Sequence, residues 1–157
     1  MQKHPLYLNG QWSDGTGSLA VTDPGNGETI GEIATVGRDE AWQAIDDAHD
    51  ALPGWRATTA RTRGDYLLAV ASGIERRKDE IARTITRENG KPLKESAGEV
   101  AGTIDHLRWF AEEGRRSYGR IVPHQAEGKR HMILKQPVGV VAAISPWNFP
   151  LILAVRK

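Results

Sequence analysis

The chain has 157 residues, enough for one domain with a hydrophobic core. Its 21 Lys and Arg residues are balanced by 20 Asp and Glu residues, which leaves a formal net charge of +1. Proteins that bind nucleic acid usually carry a clear positive excess, so this class is excluded. The basic residues between Arg56 and Arg87 are interleaved with acidic residues, which predicts helix surfaces that face solvent.

The sequence contains no cysteine, which excludes a disulfide, a Cys-ligated zinc ion and a thiol nucleophile among these residues. No apolar run reaches the roughly 18 residues of a membrane-spanning helix. The first residues lack the apolar core of a secretory signal. We therefore expect a soluble, cytoplasmic protein. The five histidines show no metal-ligand spacing, so no metal site is predicted.

Short strands and turns are predicted for the first third of the chain. Asn9-Gly10 is a strong hairpin signal between residues 6–8 and residues 11–12. Two further extended pieces are expected on either side of a turn that is rich in Gly, Pro and Asn. They are residues 19–22 and 29–35, with the turn at 23–27.

Four helices are predicted for the middle of the chain, because apolar residues recur there at helical spacing. Pro53 is expected to end the first helix and Gly90 the third. Pro92 marks the first turn of the fourth, which should end near Gly119. The apolar faces consist of Trp42, Ile45, Ala48 and Leu52, then Tyr66, Leu67, Val70 and Ile74, then Ile81 and Ile85, and finally Val100, Ile104, Leu107 and Ala111.

The last third returns to an extended pattern. Residues 131–136 alternate imperfectly between apolar and polar side chains, which favours a β-strand. Residues 138–144 form a run of small apolar side chains, typical of a strand buried on both faces of a parallel sheet. From Pro150 onward the pattern indicates the opening turns of a buried helix. A βαβ unit is begun and not completed, so we expect the sequence to be part of a longer fold.

Two apparent nucleotide-binding motifs are rejected. Residues 15–20 fit the letters of the dinucleotide-binding fingerprint, which needs a helix after it so that the helix N-terminus meets the pyrophosphate. An extended piece is predicted there instead, which indicates a Gly-rich turn. Gly90-Lys91-Pro92 lacks the Ser or Thr that follows Lys in a phosphate loop, so it is interpreted as one helix ending and another beginning.

Residues 144–150, Ile-Ser-Pro-Trp-Asn-Phe-Pro, follow a predicted buried strand and precede a helix. Ligands of open α/β sheets bind at this edge. Pro146 and Pro150 restrict the backbone on either side of Asn148. A rigid carboxamide N–H at this place suits the stabilisation of developing negative charge, as in an oxyanion hole. The alternative is that Asn148 caps the following helix, and the residues alone leave both interpretations open.

This segment resembles the Pro-Trp-Asn-Phe-Pro motif of the aldehyde dehydrogenase superfamily, and the resemblance covers essentially the whole chain. Within the superfamily the chain is most similar to succinate-semialdehyde dehydrogenases. The segments that carry the resemblance are Asn9-Gly10-Gln11-Trp12, Asp23-Pro24 with Gly27-Glu28, Pro53-Gly54-Trp55, Glu88-Asn89-Gly90-Lys91-Pro92, Trp109-Phe110-Ala111-Glu112-Glu113, Ile121-Val122-Pro123, Lys135-Gln136-Pro137, Val138-Gly139-Val140-Val141 and Arg156-Lys157.

The resemblance implies an α/β fold, namely the N-terminal part of the aldehyde dehydrogenase fold. This part would comprise an incomplete Rossmann-like cofactor domain with helices and a β oligomerisation arm. Residues 1–157 would form the N-terminal portion of the dehydrogenase domain. The arm strands would lie at 120–137 and the start of the cofactor-binding sheet at 138–157, and the catalytic domain would be absent.

The resemblance also assigns site residues. Asn148 would be the catalytic amide that stabilises the oxyanion formed when a cysteine attacks the aldehyde. Arg156 matches a position at which semialdehyde-acid members bind the substrate carboxylate, which suits the Arg fork; an ordinary surface charge is the alternative. The cofactor, NAD or NADP, would be contacted by Ile144, Ser145, Pro146, Trp147 and Asn148.

The implied function is oxidation of an aldehyde, expected to be succinate semialdehyde, to the carboxylic acid with NAD(P)⁺. The full-length form would be a homo-oligomer that binds neither nucleic acid nor membranes. The family's nucleophilic cysteine and general-base glutamate lie outside these residues, so we expect the isolated chain to be inactive. The alternatives are a truncated remnant, a fragment that only binds cofactor or associates through its arm, and a related reductase on a similar scaffold.

Overall fold

The computed structural model describes residues 3–157 as three small β-sheets and a group of helices. The strands are β1 Lys3–His4, β2 Leu6–Leu8, β3 Gln11–Ser13, β4 Gly17–Thr22, β5 Thr29–Thr35, β6 Arg120–Pro123 and β7 Arg130–Ile133. The helices are α1 Arg38–Ala57, α2 Ala60–Arg76, α3 Lys78–Asn89, α4 Leu93–Glu113 and α5 Ile152–Val155, with a 3₁₀ turn at Gly114–Arg116.

The predicted hairpin is confirmed. β2 and β3 pair antiparallel, and Asn9 and Gly10 between them both have positive φ angles (46° and 77°), as a two-residue hairpin turn requires. Tyr7 and Trp12 face each other across the pair, with their rings edge-on and their centroids 5.0 Å apart. Such cross-strand aromatic pairs stabilise a sheet that is too small to bury a core.

The other two N-terminal strands are also confirmed. β5 is the centre of a three-stranded sheet, with β1 parallel on one side and β4 antiparallel on the other. The predicted turn between β4 and β5 is closed by Asp23, whose side chain accepts a hydrogen bond from the amide of Gly25 at 2.8 Å. The Gly-rich residues 15–20 lead into β4 and not into a helix, as the rejection of the fingerprint requires.

The hydrophobic core lies between α2, α3 and α4. The apolar face predicted for the fourth helix is confirmed, since all four of its residues are buried. Each fully buried Val, Leu or Ile contributes about 1.5–3 kcal/mol. Leu151 and Val155 pack against this core, so α5 is attached to the rest of the molecule at this point. The buried core cluster is Ala71, Ala82, Ile85, Val100, Ile104 and Leu107.

The prediction that Pro53 ends the first helix is wrong, because α1 continues through it to Ala57. Proline removes one helical N–H donor, but no residue of α1 is buried, so water can reach the carbonyl that loses its partner. The residue after the helix, Thr58, is its C-cap. Both the amide and the hydroxyl of Thr58 donate to the carbonyl of Trp55, at 3.1 and 2.6 Å.

The buried face of the second helix is shifted from the prediction. Tyr66 and Val70 are 58% and 49% exposed, whereas Gly64 and Ala71 are buried. Small residues occupy the contact because α4 approaches α2 closely there; a Cβ on Gly64 would lie 2.7 Å from the carbonyl oxygen of Ala111. The fourth helix also ends earlier than predicted, at Glu113.

The strand predicted at 131–136 is present but shorter, as β7, which pairs antiparallel with β6. The buried strand predicted at 138–144 is wrong, because the structure has no strand there and Val138 and Ile144 are 92% and 82% exposed. A strand inside a parallel sheet needs a partner on each side for its backbone N–H and C=O groups. Residues 3–157 place no strand beside this segment.

Among the helices of residues 3–157, none combines the length and the apolar character that crossing a membrane requires.

Candidate functional site

The site loop, residues 144–150, is the segment that sequence analysis singled out. Its backbone turns sharply between Trp147 and Pro150 and leads directly into α5. The side chains of Ile144 and Trp147 are 82% and 80% exposed, Ser145 is half-buried and Asn148 is exposed. Of the five neighbouring predicted site residues, 144–148, four are thus exposed and Ser145 is half-buried.

The connection between α3 and α4 holds this loop through its carbonyl groups. The side-chain amide of Asn89 donates to the carbonyl of Trp147 at 2.6 Å. The ammonium of Lys91 donates to the carbonyl of Asn148 at 2.7 Å. Gly90 separates the two donors in a left-handed conformation (φ 81°) that ends α3 and turns the chain toward the loop.

Glu99, on α4, holds the other end of the loop. Its side chain has no exposed surface and forms an ion pair with Lys91 at 2.7 Å. Its second oxygen accepts hydrogen bonds from the backbone amides of Leu151 at 2.8 Å and Ile152 at 3.2 Å. Charge-assisted hydrogen bonds of this kind are stronger than neutral ones. Asn89, Lys91 and Glu99 together are called the clamp below.

A stripe of polar side chains on the buried face of α4 surrounds Glu99. Ser96 and Thr103, one turn before and one turn after it, are both 0% exposed. The hydroxyl of Ser96 lies 2.8 Å from that of Thr86 on α3, and the hydroxyl of Thr103 donates to the carbonyl of Glu99 at 2.8 Å. Every buried polar side-chain atom of the described residues has a partner, so the stripe is fully satisfied.

The structure bears on one of the two interpretations of Asn148 that the sequence left open, the capping of α5. The N-cap residue of α5 is Leu151, and it makes no side-chain cap hydrogen bond. The first amides of the helix donate to Glu99 instead. Asn148 is therefore not the cap of this helix. It is exposed, and its backbone carbonyl accepts a hydrogen bond from Lys91.

Arg156 lies at the C-terminal end of α5 and is exposed. Its backbone amide donates to the carbonyl of Ile152 at 3.0 Å, which holds the backbone of Arg156 in the last turn of the helix. Within residues 3–157 its guanidinium forms no ion pair. The structure thus places Arg156 one short helix away from the site loop, with its charge available to a ligand.

Two large apolar residues of the loop, Ile144 and Trp147, are exposed, and Asn89 holds the backbone of Trp147. Exposed apolar side chains of this kind are the type that contacts an aromatic ring system of a ligand. Ser145 adds a hydroxyl next to Ile144 in the sequence. The ammonium of Lys91 lies 4.5 Å from the centre of the Phe149 ring, which orients that ring toward the clamp.

A cleft of about 670 Å³ lies next to this site. It runs between the β1-β5-β4 sheet and α3 and reaches the end of the site loop at Pro150. On its rim, a hydrogen bond from Arg77 lowers the pKa of Glu80, and the same contact raises the pKa of Arg77. Both side chains are well exposed, so this ion pair lies at the surface of the molecule.

The clamp was missed by sequence analysis, which interpreted Gly90-Lys91-Pro92 only as a helix boundary. The apolar periodicity of α4 gave no signal for Glu99, which directly precedes Val100 and so lies about 100° around the helix from the predicted apolar face. Its burial is seen only in the structure. A buried carboxylate is almost always paired, and Lys91 is its partner here.

Comparisons with known proteins match the chain closely over almost its whole length. The sequence model described as the aldehyde dehydrogenase family matches residues 12–157. The NADP(+) succinate-semialdehyde dehydrogenase GabD of Escherichia coli is 46% identical over 99% of this chain and 33% of its own length. A glutarate-semialdehyde dehydrogenase of Pseudomonas putida is 43% identical, with the same coverage. The chain thus spans about a third of the curated relatives it matches.

The structural comparison gives the same result. A crystal structure of succinate-semialdehyde dehydrogenase from Burkholderia pseudomallei superposes with a TM-score of 0.93 and 38% sequence identity, over 98% of this chain and 32% of that one. The α/β arrangement of strands and helices described above is that of the N-terminal part of these structures.

Proposed function

Since this chain belongs to the aldehyde dehydrogenase family, whose members are NAD(P)-dependent oxidoreductases, we propose that it supplies the oxyanion-binding part of an enzyme that oxidises an aldehyde to a carboxylic acid. The observation that carries the proposal is the state of Asn148. Its carboxamide is exposed, it does not cap α5, and its backbone carbonyl is held by Lys91. A donor fixed in this way stabilises charge that develops in a transition state.

The chemistry divides between this chain and the remainder of such an enzyme. A cysteine thiolate, absent from these residues, would add to the aldehyde carbon and leave negative charge on the carbonyl oxygen. The N–H of the Asn148 side chain would donate to that oxygen and lower the barrier. Because the chain contains no cysteine, residues 1–157 alone would produce no turnover.

NAD or NADP would accept the hydride when bound. This chain would contribute residues 144–148 as the wall beside the reacting ring, with Ile144 and Trp147 as its apolar face. The wall would also exclude water from the carbon that is oxidised. The names of relatives and neighbouring structures that mention NADP(+) support this assignment without selecting one of the two cofactors.

A semialdehyde acid, succinate semialdehyde in particular, is the proposed substrate. The relatives named for succinate and glutarate semialdehydes support it, since both substrates carry a carboxylate. Arg156 would bind that carboxylate through its planar fork. Its exposure at the end of α5 and its lack of an ion-pair partner within residues 3–157 are consistent with this role.

The β6-β7 ribbon is proposed as the oligomerisation arm, with the arm at residues 120–137 and the cofactor-binding portion at 138–157. Ile121, Met132 and, directly after β7, Leu134 are 70%, 68% and 68% exposed, because a two-stranded sheet buries no core of its own. Pairing with another subunit would cover them. A homo-oligomer and a cytoplasmic location both stay predictions.

Replacing Asn148 with Ala tests the oxyanion role. The host is a chimera in which residues 1–157 replace the matching N-terminal third of the E. coli relative, so that the nucleophile is present. We expect kcat to fall by roughly 10²–10³ with a small change in KM, because the donor acts mainly in the transition state. An unchanged kcat, with chemistry shown to limit the rate, would contradict the role.

Replacing Arg156 with Gln in the same chimera tests the substrate assignment. Losing a charged hydrogen bond to the carboxylate should raise KM for succinate semialdehyde roughly tenfold or more. An uncharged aldehyde serves as the control, and its KM should not change. An equal effect on both aldehydes would return Arg156 to the status of an ordinary surface charge.

A further inference from the structure

Catalysis by an oxyanion donor depends on how well that donor is held, and the clamp is what holds the site loop. The segment from Trp147 to Ile152 accepts hydrogen bonds from Asn89 and Lys91 and donates two to Glu99. In the described residues it has no sheet neighbour. The orientation of Asn148 therefore depends on contacts with α4 and with the α3–α4 connection.

We propose that Lys91 and Glu99 are positioning residues that act on catalysis through Asn148, an inference that rests on the proposed function. Lys91 binds two groups at once, an oxygen of Glu99 and the carbonyl of Asn148, both at 2.7 Å. The other oxygen of Glu99 fixes the amides that follow the loop. A buried ion pair thus connects helix α4 to the backbone carbonyl of Asn148.

Stability alone does not explain why these two residues are charged. Taking two charges out of water is costly, and apolar residues of similar size often stabilise a protein equally well. The side chains of Lys91 and Glu99 are 9% and 0% exposed, so this desolvation has taken place. An apolar pair would leave the carbonyl of Asn148 and the amides of Leu151 and Ile152 without these partners. The charges serve the geometry of the loop.

The test compares stability with activity in the chimera defined above. Glu99→Gln alone would leave the buried ammonium of Lys91 without its carboxylate partner, so its effect on stability would obscure any effect on kcat. The decisive variant is the double replacement Lys91→Met with Glu99→Gln, which removes both charges. We expect its urea unfolding midpoint to lie close to that of the parent, while kcat falls roughly 10- to 100-fold, as for a displaced catalytic group. The KM for the aldehyde should change little.

A matched control is available on the same helix. Arg108 on α4 pairs with Glu75 on α2 at 2.7 Å, with both side chains about half exposed and far from the site loop in sequence. The double replacement Arg108→Met with Glu75→Gln removes an interhelical ion pair of the same length. Its kcat should equal that of the parent.

Combining the clamp variant with Asn148→Ala distinguishes positioning from an independent effect. If the clamp acts through Asn148, the combined variant should be no slower than Asn148→Ala alone. Losses that multiply would overturn the proposal, and so would a clamp variant that keeps the parent kcat. If Asn148→Ala itself has no effect on the chemical step, the proposed function fails and the positioning role fails with it, whereas a slow Asn148→Ala variant beside a fast clamp variant refutes the positioning role alone.

The 157-residue chain gives an independent readout by amide hydrogen exchange. In the clamp variant the amides of Leu151 and Ile152 should exchange at least about tenfold faster, because they lose a charged acceptor. The control pair should leave their exchange unchanged. Equal protection of these two amides in parent and clamp variant would show that Glu99 does not hold the loop, and would overturn the proposal even where the chimera gives no activity.

Discussion

At the scale of single residues, Asn148 and Glu99 have complementary tasks. Both side chains can satisfy the amides at the start of a helix, and in this molecule Glu99 does so from a neighbouring helix. Asn148 is exposed and does not cap the helix. Because Glu99 accepts the hydrogen bonds of the first amides of α5, the helix does not need Asn148 as its cap. The proposed oxyanion role of Asn148 is therefore compatible with an ordered α5.

How much of the site the sequence predicts follows from this division. The site loop is local: its prolines and its place before a helix are visible in seven consecutive residues. The clamp is not local, because Glu99 lies about fifty residues before the amides it binds. Helical periodicity identified neither the burial of Glu99 nor its partners, since both depend on how α3, α4 and the loop pack together.

A pair of glycine replacements tests the close packing of α2 and α4. Gly64→Ala should destabilise the chain by roughly 1–3 kcal/mol, because the new Cβ would meet the carbonyl oxygen of Ala111 at 2.7 Å and backbone cannot yield cheaply. Gly98→Ala, on the exposed side of α4 with nothing within 4 Å, should stabilise by up to about 1 kcal/mol. Urea unfolding measures both. Changes of the same sign would contradict the described packing.

At the scale of elements, prediction succeeded where the signal was local. The hairpin, the strands β4 and β5, and the C-terminal end of α3 all follow from turn residues or periodicity within a few positions. It was wrong where another element decided the outcome. Tyr66 and Val70 fit the apolar face of α2 in the sequence, yet the close approach of α4 selects Gly64 and Ala71.

The first helix offers a test of the corrected boundary at Pro53. Replacing Pro53 with Ala restores a helical N–H donor and should slow amide exchange in the last turn of α1, since proline costs a helix interior about 3 kcal/mol. The global unfolding midpoint should change little, because α1 buries none of its residues. Unchanged exchange in this turn would indicate that the helix already ends before Ala57 in solution.

At the scale of the whole molecule, two regions of the described residues differ in how they are packed. The α2-α3-α4 core buries its apolar side chains, whereas residues 138–149 carry exposed apolar side chains and no sheet partners within the described residues. The small apolar side chains of 138–144 favoured a buried strand in the sequence. A strand also needs neighbours for its backbone N–H and C=O groups, and the side-chain pattern carries no information about them.

We propose that this chain provides Asn148 as the oxyanion donor of a cysteine-dependent aldehyde dehydrogenase and that it provides no nucleophile of its own. The most direct measurement follows NAD(P)H formation from succinate semialdehyde by the 157-residue chain and, in parallel, by the chimera that adds the remainder of the E. coli relative. The account predicts turnover by the chimera and none by the chain, which contains no cysteine. Turnover by the purified chain, free of contaminating enzyme, or a folded chimera without turnover, would contradict it.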